Sequence, residues 1–218
     1  MVRNLKILIL AVVALTVISA SSASGAQAAE FHCSEEPCRL TLKPDGAVPS
    51  LTAHQAFRFN SPKGDSIEFT CNSVSGEATQ SAKTSPEITL TSIEYQTCGS
   101  GGFFTAVKMN GCDYLFTAAG QMSINCPVGQ QIEWFTFKCV VTIGPQGPLS
   151  GVNFHNVGFS KSEITVENLV KGIKGTIDES PTCLVAPGAS EAEFRTTNSI
   201  LTAEKDNAGV EMVKVWWE

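Results

Sequence analysis

The stretch Cys112-Asp-Tyr-Leu-Phe-Thr-Ala-Ala-Gly-Gln-Met-Ser-Ile-Asn-Cys126 alternates apolar and polar side chains on both sides of Ala119-Gly120. Alternation with a period of two is typical of a β-strand that has one buried face. A turn at Ala119-Gly120 would fold the stretch back on itself and bring Cys112 nearly opposite Cys126, within reach of a disulfide bond. The stretch therefore predicts an antiparallel β-hairpin that is closed by a Cys112–Cys126 bond.

The other six cysteines extend this pattern to the whole chain. The chain has eight cysteines, an even number, which in an exported protein predicts a disulfide framework. Cys33 and Cys38 can close a small loop, with Pro37 bending the chain between them. The sequential choice for the remaining four is Cys71–Cys98 and Cys139–Cys183. A zinc site would need a second closely spaced cysteine pair, which the sequence lacks, so we expect no metal.

Residues 1–29 have the three parts of a secretory signal peptide. Arg3 and Lys6 give a basic start, residues 7–20 are apolar and uncharged, and a run of small residues ends at Ala28 and Ala29. The apolar run is shorter than the roughly 20 residues that a membrane-spanning helix needs. We therefore predict a signal helix that is cleaved after Ala28 or Ala29. The mature chain is expected to be secreted, extracellular or associated with the cell wall, without a stable membrane span.

Cleavage would leave a strongly acidic mature chain. It removes two of the 15 basic residues and leaves 13 against 21 acidic ones, a net charge of −8 compared with −6 for the whole chain. Phosphate backbones and anionic lipid surfaces repel such a protein. The charge therefore argues against nucleic acid as a partner.

Short alternating segments recur throughout residues 30–218, and turn residues separate them. Proline and glycine in stretches such as 61–65 and 144–148 supply the backbone angles that tight turns need. No segment has the apolar spacing of an amphipathic helix. The pattern predicts one all-β domain over residues 30–218, with a disulfide-stapled, antiparallel β-sandwich or barrel-like architecture. The stretch near residues 144–150 leaves open a subdivision of this domain.

Two finer features concern single strands and their repetition. Ile88 and Leu90 share one face of a predicted strand, whereas Ile93 and Tyr95 fall on the other, which indicates a β-bulge near Ser92. A weak internal repeat favours two related β units. It consists of Phe57-Arg58-Phe59-Asn60 with Ser66-Ile67-Glu68-Phe69, echoed by Val152-Asn153-Phe154-His155 with Glu163-Ile164-Thr165-Val166.

The sequence contains no catalytic motif. The histidines lack the spacing of metalloprotease or nucleophile motifs, so we name no catalytic residue and expect no cofactor. One alternative is a secreted hydrolase that acts on a glycan or an ester through an unrecognised site. Glu133 and His155 are the acid–base groups that such an enzyme would use. Another alternative is a surface protein that adds a strand to a partner's sheet.

Outward-facing tryptophans are the better indication of function. Trp134 alternates with Phe135 and Phe137, so it faces outward if the phenylalanines face the core. Near the C-terminus two valines share a face with Trp217, which leaves Trp216 facing outward. An exposed indole can stack on a sugar ring or fill a protein pocket. We therefore predict Trp134 and Trp216 as binding residues of a non-catalytic binding or structural module, with cell-wall polysaccharide or another surface protein as its partner.

Several cysteine and turn motifs are spread over nearly all of the mature region. They are Phe31-His32-Cys33, Pro37-Cys38-Arg39-Leu40-Thr41, Phe69-Thr70-Cys71-Asn72-Ser73, Gly76-Glu77-Ala78-Thr79, Met109-Asn110-Gly111-Cys112-Asp113-Tyr114-Leu115-Phe116, Asn125-Cys126-Pro127 and Trp216-Trp217. In these motifs the chain resembles a group of uncharacterised small secreted cysteine-rich β proteins of high-GC Gram-positive bacteria. The resemblance implies export and the all-β fold, and it transfers no catalytic residue.

Overall fold

The computed structural model describes residues 28–44, 55–136, 139–159, 161–178, 183, 185–203 and 213–218. The predicted signal peptide falls on residues 1–29, of which 1–27 lie outside the described residues. The predicted all-β fold is confirmed, and every strand pair is antiparallel. The strands are β1 Phe31–Cys33, β2 Cys38–Pro44, β3 Gln55–Asn60, β4 Ser66–Gln80, β5 Thr84–Ser85, β6 Glu87–Ser100, β7 Phe103–Lys108, β8 Asp113–Thr117, β9 Gln121–Asn125, β10 Ile132–Phe135, β11 Val140–Ile143, β12 Gln146–Ser150, β13 Val152–Asn156, β14 Glu163–Ile177, β15 Gly188–Ala203 and β16 Val215–Trp217.

Eight of these strands pair into a closed ring. In ring order they are β3, β4, β6, β7, β10, β11, β14 and β15, and β15 pairs with β3 to complete the circle. Phe57, Phe69 and Trp134 fill its interior and are at most 1% exposed. Because each strand of the ring has a neighbour on both sides, the ring offers no free edge for strand addition. This part of the molecule has the barrel-like form that the sequence predicted.

The long strands β4, β6, β14 and β15 continue past the ring into a second group of strands, which we call the open half. It also contains β2, β8, β9, β12 and β13, and its pairing runs from β12 through β9, β8, β6, β4, β2, β15 and β14 to β13. Leu90, Phe116 and Leu201 pack inside it. Phe31 of the small sheet β16-β1-β5 packs edge-on against Phe154, at 4.9 Å between ring centroids. The buried side chains of the ring and the open half form one hydrophobic cluster.

The predicted hairpin and bulge are both confirmed. Strands β8 and β9 pair from Asp113 with Asn125 to Thr117 with Gln121. Gly120 in the turn has φ +81°, and a Cβ there would lie 2.7 Å from a backbone oxygen, so the turn requires glycine. The bulge is centred on Ser92, which has φ 51° and lies where the register between β4 and β6 shifts.

The four disulfide bonds join the pairs expected from the sequence. Cys33–Cys38 closes the turn between β1 and β2, and Cys71–Cys98 joins β4 to β6. Cys112–Cys126 closes the β8–β9 hairpin, and Cys139–Cys183 fixes the start of β11.

Several strands differ from the predicted ones. The long strand β4 continues to Gln80, well past the segment that alternates visibly, because its buried positions there hold small residues. A Cβ added to Gly76 would lie 2.9 Å from the side chain of Leu90, so Leu90 occupies the space that a larger residue would need. The turn predicted at residues 144–148 overlaps strand β12, which runs from Gln146 to Ser150.

The weak sequence repeat corresponds to a repeat in strand register. In the β3–β4 hairpin Phe57 pairs with Phe69, and in the β13–β14 hairpin Phe154 pairs with Val166. Both residues of the second pair lie 97 positions after their counterparts (154 − 57 and 166 − 69). With the same offset, Cys71 of the Cys71–Cys98 pair corresponds to Asn168, which pairs with Thr196.

This correspondence predicts that a fifth disulfide can be built at the Asn168–Thr196 pair. Both residues are buried and lie opposite each other on neighbouring strands, as Cys71 and Cys98 do. We expect Asn168→Cys with Thr196→Cys to form a bond that raises the free energy of unfolding by about 2 kcal/mol relative to the same variant after reduction of that bond. Intact mass after alkylation counts the thiols, with single Asn168→Cys as the one-thiol control. Two alkylated thiols in the double variant would contradict the register correspondence.

Two phenols meet where the ring joins the open half. The hydroxyl groups of Tyr95 and Tyr114 lie 2.9 Å apart and share a hydrogen bond. Burial raises the pKa of both phenols above the usual value of 10.0, and for Tyr95 the neighbouring Tyr114 raises it further. The folded protein therefore holds both groups in the neutral form.

A loss of stability at alkaline pH follows from this pair. Because the folded pKa values are raised, the stabilisation is fully present below about pH 10 and is lost as the pH rises above it, where unfolded tyrosine ionises. Each phenol contributes a slope of at most about 1.4 kcal/mol per pH unit. Urea unfolding between about pH 9 and pH 11 measures it. A Tyr95→Phe, Tyr114→Phe variant should show a shallower fall, and an equal fall would contradict the assignment.

Candidate functional site

Trp134 does not face outward, so the predicted orientation is wrong. The residue is 0% exposed, and its indole lies 4.6 Å from the ring centroid of Phe57 and 5.3 Å from that of Phe69. Alternation along β10 is as expected, but its phase is opposite: Ile132 and Trp134 face the core, and Phe135 faces outward. The reason is that β10 lies between β7 and β11 in the closed ring. The large apolar indole is buried in the interior of that ring. The indole therefore offers no stacking face to a sugar on the outer surface of the ring.

Trp216 lies on the outer face of β16, as the sequence predicted, but its ring is already in contact with its own chain. His32 stacks on it, with centroids 5.1 Å apart and planes 7° apart. The Lys161 Nζ lies 4.9 Å from the indole centroid, a cation–π contact. The indole Nε1 donates a hydrogen bond to Glu218 Oε1 at 3.2 Å. A ligand would have to compete with these contacts, and the binding role of Trp216 stays a prediction.

Glu218 connects the members of this cluster. One carboxylate oxygen lies 3.6 Å from His32 Nε2 and the other lies 3.8 Å from Lys161 Nζ. The hydrogen bond from Trp216 lowers the pKa of Glu218, and the charges of Lys161 and His32 lower it further. The cluster ties the β1–β16 sheet to the turn after β13.

The structure does not bring Glu133 and His155 together. Glu133 lies on the outer face of the ring, opposite Lys108 on one side and Thr142 on the other. His155 lies on β13 in the open half, with its side chain 63% exposed and Nε2 3.9 Å from Glu167. Among the described residues no group of three or more His, Cys, Asp and Glu side chains could hold a metal ion. No helix within the described ranges has the length and hydropathy to cross a membrane.

A pocket opens at one end of the ring, where β4 begins and β6 turns into β7. Its volume is about 350 Å³, within the range of about 300–1,000 Å³ that is typical of small-molecule sites. The side chains of Ile67, Phe103 and Val185 make its walls mainly apolar. The described residues that line it are Ser66, Ile67, Glu68, Ser100, Gly101, Phe103, Thr136, Cys139 and Val185.

Two exposed phenylalanines mark the rim of this pocket. Phe103 is 42% exposed and Phe104 is 77% exposed. As neighbours on β7 they point to opposite faces, so Phe103 lines the pocket and Phe104 faces solvent. The turn before them contains Gly101 and Gly102 with φ of +55° and +85°. Sequence reasoning missed this site, although two adjacent phenylalanines directly after a Gly-Gly turn were a usable signal.

Two unsatisfied polar groups lie on the inward faces of β7 and β10, near the pocket. Thr105 is 1% exposed and Trp134 is 0% exposed. Thr105 Oγ1 and Trp134 Nε1 have no hydrogen-bond partner in the part of the chain that the structure describes. Leaving such a group unpaired costs about 1–3 kcal/mol.

The comparisons with known proteins assign no relative. No family model matches the chain, and neither a curated protein nor a solved structure matches it.

The different positions of the two tryptophans lead to a stability prediction. Trp134→Ala should lower the free energy of unfolding by about 3–5 kcal/mol, because it empties the centre of the ring. Trp216→Ala should lower it by about 1 kcal/mol, since the substitution removes only the surface contacts of a half-buried indole. Urea unfolding of both variants beside the parent measures the difference. Equal losses would contradict the interior position of Trp134.

Proposed function

We propose that the protein is a secreted, non-catalytic binding module that takes a small, mainly apolar ligand into the pocket at the end of the ring. The signal-peptide pattern of the sequence supports secretion. Four disulfide bonds are compatible with an extracellular or secreted protein, because such bonds persist in oxidising surroundings.

The pocket is the observation that carries the proposal. One side of it belongs to β4, β6 and β7, which are paired on both sides, so the backbone there is fixed before a ligand arrives. Cys139, which lines the pocket, is bonded to Cys183, and Cys71–Cys98 joins β4 to β6 nearby. Rigid walls favour binding because little conformational entropy is lost when the ligand enters.

The chemistry of the walls favours a small molecule over a polysaccharide in this pocket. Ile67, Phe103 and Val185 offer apolar surface, whose burial contributes about 25 cal/mol per Å². Phe103 is partly exposed at the mouth, so a ligand that covers it removes apolar surface from water. Cell-wall polysaccharide and a surface protein remain the predicted partners of the outer face.

Titration with N-phenylnaphthylamine, an uncharged dye that fluoresces in apolar surroundings, tests the proposal. We expect saturable binding to the parent protein and a loss of affinity of at least about fivefold in Phe103→Ala, since the variant removes most of one pocket wall. The matched control is Phe159→Ala, because Phe159 is fully exposed in the turn between β13 and β14. The proposal is wrong if the dye does not bind, or if both variants bind it like the parent.

A further inference from the structure

The unsatisfied groups beneath the pocket indicate what kind of ligand it takes. Thr105 follows Phe103 by two positions on β7, so both side chains point into the ring. Trp134 precedes Thr136, another wall residue, by two positions along the strand direction of β10. Strands β7 and β10 are neighbours, with Val107 opposite Trp134. Continued by two positions, this register sets Thr105 level with the wall residue Thr136, and Trp134 lies one inward-facing position deeper in the ring.

One partner that accepts hydrogen bonds could satisfy both groups. The indole N–H of Trp134 can only donate, and the Thr105 hydroxyl can donate as well as accept. Buried polar groups in folded proteins are nearly always paired, and each exception calls for a physical reason. The other described unsatisfied side chains lie on β4, β14 and β15, namely Gln80, Asn168 and Ser190. Two unsatisfied groups on successive inward-facing levels of neighbouring strands, near the open pocket, point to an oxygen atom supplied by a ligand.

The charges at the rim do not favour a charged ligand. Glu68 is the charged residue among the described wall residues, and Arg58 lies opposite it on β3. The Arg58 guanidinium donates to Ser66 Oγ, another wall residue, at 3.3 Å. Charges of both signs therefore lie at the mouth, while the deeper walls are apolar. An uncharged ligand avoids the cost of taking a charge out of water.

We infer that the ligand is an uncharged, mainly apolar molecule with an oxygen acceptor at the end that enters first, and that Trp134 Nε1 and Thr105 Oγ1 donate hydrogen bonds to that oxygen. The inference rests on the proposed function of the same pocket. Trp134 lies two residues along the strand direction from the wall residue Thr136, a span of about 6.8 Å, so the oxygen must reach towards that depth. A ketone, an aldehyde or an ester carbonyl on a flat or narrow apolar body meets this requirement.

A matched pair of ligands tests the inference. Acetylnaphthalene carries a carbonyl oxygen, and its isopropenyl analogue has a CH₂ group in that place with nearly the same shape. Each is used to displace N-phenylnaphthylamine from the full-length mature protein. We expect acetylnaphthalene to bind about threefold to tenfold more tightly, since one net hydrogen bond is worth about 0.5–1.5 kcal/mol.

Thr105→Val and Trp134→Phe assign the preference to the two donors. Thr105→Val keeps the side-chain shape and removes the hydroxyl, so the affinity ratio should fall towards equality while the isopropenyl analogue binds as before. Without ligand the variant should unfold at the same or a higher temperature than the parent, because an unpaired hydroxyl is gone. The control is Thr89→Val, an exposed threonine on β6. Trp134→Phe should also lower the ratio of the two affinities. If Trp134→Phe does not fold, Thr105→Val alone decides the outcome.

The possible results separate the inference from the proposed function. If the parent binds both naphthalenes equally, the inference is overturned and the proposed pocket stands. If the ketone is preferred by the parent and by both variants alike, the oxygen binds elsewhere and the assignment to Thr105 and Trp134 is overturned. If neither compound nor the dye binds, both the inference and the proposed function are overturned.

Discussion

Closure of the eight-stranded ring by the pairing of β15 with β3 is the constraint on which the rest of the structure depends. It gives every strand of the ring two hydrogen-bonded neighbours, so backbone N–H and C=O groups are paired without an open edge. A closed ring has a fixed interior that side chains must fill. Phe57, Phe69 and Trp134 fill it, and Phe194 stacks on Phe57 with centroids 4.1 Å apart. The aromatic core is therefore a consequence of closure.

The pocket lies at the end of the ring, where large side chains no longer fill the interior. Towards this end of β7 and β10, the inward positions hold Phe103 at a glycine turn and Thr136 at a strand end. Neither reaches the centre of the ring as Trp134 does, so a cavity remains at the mouth. The disulfide of Cys139 holds that end of the ring in place. The same closure that buries Trp134 thus leaves space above it.

Local features of the fold could be predicted from the sequence, and those that depend on distant parts of the chain could not. The Cys112–Cys126 hairpin and the Ser92 bulge follow from alternation within a few residues. The inward position of Trp134 could not be predicted, because alternation shows which side chains share a face but not which face meets the core. The length of β4 was hidden by Gly76, whose small size makes sense only beside Leu90. The pocket was missed because its walls come from five separate segments.

The repeated hairpins explain why a preorganised site belongs in the ring. The β4–β6 pair carries the Cys71–Cys98 bond at the position where the β14–β15 pair carries Asn168 and Thr196. A covalent link restricts the unfolded chain and fixes two strands, whereas a buried amide with an unpaired oxygen costs free energy. The two strand pairs therefore differ in stiffness at this position. Since a pocket binds best when its walls need no ordering, the covalently linked β4–β6 pair is the one that can hold it open.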